Sequence, residues 1–253
     1  MTSNSPGGAT RERARIEREA MRVITPVVAT FLADVRRLAL HGASSSTPFS
    51  AATVAAHWEV AVGDAAPRLA RALPGYDTAP LIQDLLISDI PDSAYTSART
   101  VMETAGVEQW SATRLERSLA EVLSPTRGGP IPTPPPGVSL PRSSTGLTDY
   151  GTIARSGSGW NAVVTRQVRT QATAAAARTN LEGILAARLP YKQWVSRHDS
   201  RTRETHMAAD GQIVPVEGYF EVGLDRLRFP ADPLGSAAET VNCRCIVVGV
   251  NRR

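Results

Sequence analysis

Seven prolines fall between Ser124 and Thr148, three of them consecutive at Pro134, Pro135 and Pro136, with Gly, Ser and Thr among them and no acidic residue. Proline lacks the amide hydrogen that a helix interior or a central strand requires, so this stretch extends as a polyproline-like linker and stays out of any packed core. Linkers are the commoner use of such sequence than ligands for proline-recognition domains. The 253-residue chain is therefore expected as a disordered tail at 1–10, a helical region at 11–123, the linker at 124–148 and a C-terminal domain at 149–253.

Before the linker the apolar residues recur at three and four. Ile16, Ala20, Val23, Val27, Phe31, Val35 and Leu38 form one helical stripe, with Pro26 inside it expected to kink or divide the helix. A second helix runs from Ser50, a candidate N-cap, through Val54, Trp58 and Val62, with Pro67 and Pro74 interrupting or ending it. Further helices are expected near 79–88, 92–105 and 108–123, the last two separated at Gly106. No strand-like alternation occurs, so this half reads as four to six helices.

Composition excludes several classes. Apolar residues make up 42% and charged residues 21% of the chain, enough to bury a core. No run approaches the ~18 apolar residues of a membrane span, and charge falls early where an export signal needs its apolar segment. Synthesis in a reducing cytoplasm is expected: Cys243 and Cys245 are the two cysteines, and a bridge between residues two apart would be strained. Of the 28 basic residues all but Lys192 are arginine, against 24 acids. The segment 149–189 is locally basic, and its Arg166, Arg169 and Arg178, with no acid between Asp149 and Glu182, are the candidates for proximity to DNA. A solvated helix face is the commoner use of such arginines.

After the linker, 149–189 is again helical, with Val163, Val164, Val168, Ala172, Ala176 and Leu181 to Leu185 available for burial. The remainder changes style. Short strands are expected at 193–197, 211–216, 219–222 and 245–250, with a short helix at 200–208. The fold class is thus α+β: a helical N-terminal region, a linker, then a helix leading into a small domain of short, mostly antiparallel strands.

That domain concentrates the chemistry-bearing residues. Asp199 precedes the short helix and can cap it, and His206 follows two turns later. Cys243 and Cys245 face the same way if extended. One carboxylate, one imidazole and two thiolates, Asp199, His206, Cys243 and Cys245, make an acceptable tetrahedral set for a structural zinc, with His198 as a substitute ligand. Burial of the cysteines as small apolar residues, and a polar network of Asp199 with Arg201 or Arg203, are the plainer uses. Catalysis is not expected. His206 lacks the Glu two residues on that a zinc deaminase needs, a Cys/His pair here has no oxyanion-hole glycine motif, and no Walker loop or dinucleotide fingerprint occurs. His41 and His57 have no nucleophile motif beside them.

Taken in order, W-x4-D-S-R-T-R-x2-H, a Gly turn, F-P-A-D-P and N-C-R-C resemble the phage Mu protein F-like minor head proteins, also called the phage head morphogenesis domain, over about 150–250. The motif positions are Trp194, Asp199, Arg201, Arg203, His206, Gly211, Pro230, Asp232, Pro233, Asn242, Cys243 and Cys245. Ala231 stands where the family has glycine, which weakens any argument needing positive φ there but leaves the resemblance intact. The resemblance implies a minor structural component of a tailed-phage head, not itself an enzyme. It would act in assembly beside the portal and major capsid proteins, and in DNA packaging or ejection, inside the head of the virion, with non-specific contact to packaged DNA; from the lack of an apolar run, no contact with membrane is expected. The alternatives are a protease or toxin-type enzyme carrying such a domain, and a DNA-binding accessory factor that is not packaged.

Overall fold

The computed structural model describes residues 5–44, 48–125 and 159–251. The expected linker lies outside them beyond Pro125, as do the first residues of the expected tail. Five helices precede the linker: α1 (Pro6–Ser44), α2 (Ala51–Ala72), α3 (Ala79–Leu86), α4 (Ile90–Val107) and α5 (Ala112–Val122). After it come α6 (Gly159–Ala186), β1 (Tyr191–Val195), α7 (Glu204–Ala208), β2 (Ile213–Pro215), β3 (Phe220–Val222), β4 (Asp225–Leu227), α8 (Ala237–Thr240) and β5 (Ile246–Val250). The fold is α+β, and no described helix is long and apolar enough to cross a membrane.

Two corrections concern proline. Pro26 lies inside α1 without dividing it, and Pro67 lies inside α2, which ends at Ala72 ahead of Pro74. Both prolines are on exposed positions, while Val23, Ile24, Val27 and Val28 around the first, and Ala65 and Leu69 around the second, are buried. Each costs one helical hydrogen bond, and packing of the opposite face holds the helix. A third correction is that α1 begins at Pro6, so residues 6–10 are helical.

Close packing divides the chain into two units that cut across the segments expected from sequence. One comprises 23–68 and 82–164, the other 1–22, 69–81 and 165–253. In the first, the Phe31 and Trp58 rings meet edge to face at 4.9 Å, and Trp58 Nε1 donates to the Leu85 carbonyl at 2.7 Å. Ser50 caps α2 as expected, its Oγ accepting from Thr53 N–H at 3.2 Å. Trp160 Nε1 donates to the Val122 carbonyl at 3.0 Å, tying the start of α6 to the end of α5.

The second unit holds the small sheet, in the order β2-β1-β5 with both pairings antiparallel, and a separate β3-β4 hairpin. Its core gathers Trp194, Phe220, Val222, Leu227 and Val247 against Ala174, Ala177 and Ile184 of α6. Leu181 is half-buried there, and Leu185 points to solvent at 42% exposure. Strand β5 is buried on two sides. Val247 enters that core, and Ile246 and Val248 pack with Ala9 of α1. Ala9, in the first turns of α1, thus packs on a strand more than two hundred positions away.

Candidate metal centre

The centre starts with two short segments that α6 and β1 hold together. Thr173 Oγ1, buried on α6, donates to the Cys243 carbonyl at 2.6 Å, and Asn242 N–H donates to Thr170 Oγ1 at 2.9 Å. Asn242 takes φ +57°, a left-handed turn that Asn tolerates better than most residues, and the chain leaves it extended. Period two then directs Cys243 and Cys245 inward and Arg244 outward, although β5 begins only at Ile246. Facing them, α7 carries His206. Arg203 precedes the helix in extended geometry, and its guanidinium donates to the Val241 carbonyl at 2.6 Å, closing the two segments on each other.

The result is a compact group of donors. His206 Nδ1 lies 3.3 Å from Cys245 Sγ and 3.7 Å from Cys243 Sγ. The three donor atoms lie within 4.8 Å of one another, and all three residues are buried, at 1% to 3% exposure. On its other side the imidazole presents Nε2 to Glu239 Oε2 at 3.1 Å, and that oxygen also accepts from Thr205 Oγ1 at 2.8 Å. The backbone of α7 is fixed from below, where Ser196 Oγ donates to the His206 carbonyl at 2.5 Å, and Trp194 meets the imidazole edge-on at 5.6 Å. The two thiols act on each other. This lowers Cys245, with His206 adding to the effect, and raises Cys243, which burial raises further. A soft divalent cation is what such a set of two sulfurs and one imidazole nitrogen could hold.

Asp199 does not join the group. Its carboxylate takes the Arg244 guanidinium in a bidentate pair at 2.6 and 2.5 Å, which drives its pKa far below the ordinary carboxylate range. It caps no helix either: Oδ1 accepts from Arg201 N–H at 3.0 Å and Thr202 Oγ1 at 3.2 Å, forming a local turn ahead of α7. The expected network is present with Arg244 as partner in place of Arg201 or Arg203. His198 is half exposed and pairs with Asp210 at 2.9 Å, so it is no substitute ligand.

Glu239 is the residue that sequence reasoning missed. Its only local signal is the spacing Ser236-x2-Glu239, which reads as a helix capping box. Ser236 instead gives its N–H and Oγ to Asp225 Oδ2, each at 2.7 Å, and the glutamate turns inward to His206.

The other motif positions build the frame. Trp194 is fully buried at the centre of the core, and Gly211, at φ +76°, returns the chain so that its N–H donates to the Trp194 carbonyl at 2.9 Å. Pro230 is buried and Pro233 exposed, and between them Asp232 accepts twice from the Arg228 guanidinium, both at 2.7 Å, and from the N–H groups of Arg228 and Leu234. Burial raises the Asp232 pKa, but these hydrogen bonds outweigh it and the carboxyl lies below its ordinary value. Ala231 takes φ +60°, the left-handed conformation, although it is not a glycine. Among the candidate DNA-proximal arginines, Arg169 pairs with Glu17 at 2.9 Å and Arg178 with Asp77 at 3.3 Å, while Arg166 is half-buried.

No curated protein and no solved structure matches the chain. Residues 153–248 match the family described as phage Mu protein F like protein. That stretch contains every motif residue from Trp194 to Cys245, the entire donor group and its frame. It is over this site-bearing stretch, 96 of the 253 residues, that the chain is similar to that family.

Proposed function

We propose that this protein is a minor structural component of a tailed-phage head, acting during head assembly beside the portal and major capsid proteins and residing inside the finished particle. The family assignment of residues 153–248 carries the reading, since it supports a role in head morphogenesis. A non-catalytic role is supported by the burial of Cys245 and His206, at 3% and 2% exposure. The proposed use of that group is a structural zinc that ties α7 to the segment entering β5. Contact with packaged DNA is proposed as non-specific and salt-dependent. Arg169 and Arg178 already neutralise acids of the same unit, so their share in that contact is small.

Quantitative mass spectrometry of purified particles and procapsids, measured against portal and coat peptides, tests the role. A few to some tens of copies per particle is expected. Presence in procapsids alone would make the protein a transient assembly factor. Absence from both would return the enzyme or the unpackaged accessory factor.

A further inference from the structure

We infer, resting on the reading that the His206, Cys243 and Cys245 group takes zinc, that Glu239 is the positioning residue of the site. It holds the Nε2 proton of His206, commits Nδ1 to the metal, and leaves the coordination sphere without a protein carboxylate.

The argument begins with the spacing of the donors. Tetrahedral zinc with Zn–S of ~2.3 Å and Zn–N of ~2.0 Å separates a sulfur and a nitrogen ligand by about 3.5 Å. The two Nδ1 to Sγ distances, 3.3 and 3.7 Å, bracket that value. Nε2 cannot serve the same ion, because the two ring nitrogens direct their lone pairs away from each other.

Glu239 occupies the Nε2 side. Its Oε2 lies 3.1 Å from Nε2 and is held there by Thr205 Oγ1 at 2.8 Å. A carboxylate in that place accepts the Nε2 proton, so Nδ1 is the nitrogen with a free lone pair, and the ring becomes a stronger ligand. The fold keeps space for this carboxylate: a Cβ on Gly223 would stand 2.5 Å from Glu239 Oε1. The other candidate acid, Asp199, has both oxygens on Arg244. Neither acid is therefore available to the metal.

The test uses the full chain loaded with zinc and then dialysed. About one zinc per chain is expected by elemental analysis. Long-range proton–nitrogen correlation spectra should report His206 Nε2 as the protonated nitrogen and Nδ1 as the metal-shifted one. Glu239→Leu should weaken zinc about 10- to 100-fold in competition with a chromophoric chelator. Glu239→Gln, whose amide oxygen still accepts from Nε2–H, should recover most of that loss, and Asp199→Asn should leave zinc affinity within about twofold of wild type. If the wild-type chain takes up no zinc, the zinc reading fails and this inference with it. If zinc binds but Nε2 carries the metal shift, or Asp199→Asn loses zinc while Glu239→Leu keeps it, the positioning role alone is overturned. Should Glu239→Leu fail to fold, the wild-type spectrum decides by itself.

Discussion

Lys192 is the single lysine among 28 basic residues and is 1% exposed, on the face of β1 that also buries Trp194. Its ammonium stands 5.4 Å from the centre of the Phe220 ring. Burial, with Arg228 nearby, pushes its pKa down to about 8, although Glu217 and Asp232 pull it upward. The unfolded value is about 10.4. Below pH 8 both states carry the proton, and the folded state bears the full cost of a buried charge. Between pH 8 and 10.4 the folded state sheds the proton first, so stability contributed at this site rises with pH. Lys192→Met is therefore expected to be more stable than wild type at pH 7, by about 1–3 kcal/mol, with the gap closing by pH 10.5. Urea unfolding at the two pH values measures this, and a less stable variant at pH 7 would mean that the ring and the two acids outweigh burial. Ala231 poses a smaller balance. Its left-handed backbone costs about 1 kcal/mol relative to glycine, while its methyl, 2% exposed, contributes about 0.8 kcal/mol by burial. Ala231→Gly should thus lie within about 1 kcal/mol of wild type, whereas Ala231→Val, β-branched at positive φ, should cost over 2 kcal/mol in thermal unfolding.

The β3-β4 hairpin shows how an element without chemistry of its own shapes the donor group. Val222 pairs with Asp225, leaving Gly223 and Leu224 as the turn, and Gly223 takes φ +60°. Gly223→Ala would strain that backbone by about 1 kcal/mol and drive a methyl against Glu239 Oε1. We expect a loss of 1–3 kcal/mol in thermal unfolding, together with a changed His206 ring-nitrogen spectrum. An unchanged spectrum would show that Glu239 can retreat without releasing Nε2. The hairpin also marks where reading the sequence stops. The helical stripe from Ile16 to Val35, the Ser50 cap and the terminal strand are legible because each repeats a period or a local hydrogen-bond pattern. Strand β4 is Asp-Arg-Leu, too short to display alternation, and only pairing with β3 defines it. Within the donor group, His206, Cys243 and Cys245 are legible by residue type and spacing. The loss of Asp199 to Arg244 and the placing of Glu239 behind His206 are not, since each depends on a partner that folding brings up from a distant part of the chain.

At the scale of the molecule, the matched domain does not coincide with the unit that buries its sheet. Residues 153–248 carry the family motif, yet Ile246 and Val248 pack with Ala9, Arg169 pairs with Glu17, and Arg178 pairs with Asp77. Glu12 in turn accepts from Tyr76 and pairs with Arg15 at 2.9 Å, so the start of α1 and the segment after α2 are bound to each other as well. Exposed ion pairs of this kind contribute little each, so the apolar cover over β5 is the larger part of the connection. Ala9→Asp should therefore place an unpaired charge on Ile246 and Val248 and cost about 2–4 kcal/mol. Gly7→Asp introduces the same charge two positions earlier at an exposed site in the first turn, where an acid is mildly favourable to the helix, and should cost nothing measurable. Hydrogen exchange reads the difference where it arises: the β5 amides should lose protection in Ala9→Asp and keep it in Gly7→Asp, while the helices of 23–68 remain unchanged in both. If the two variants behave alike, the first turns of α1 do not stabilise the sheet, and the domain stands on residues 165–253 without them.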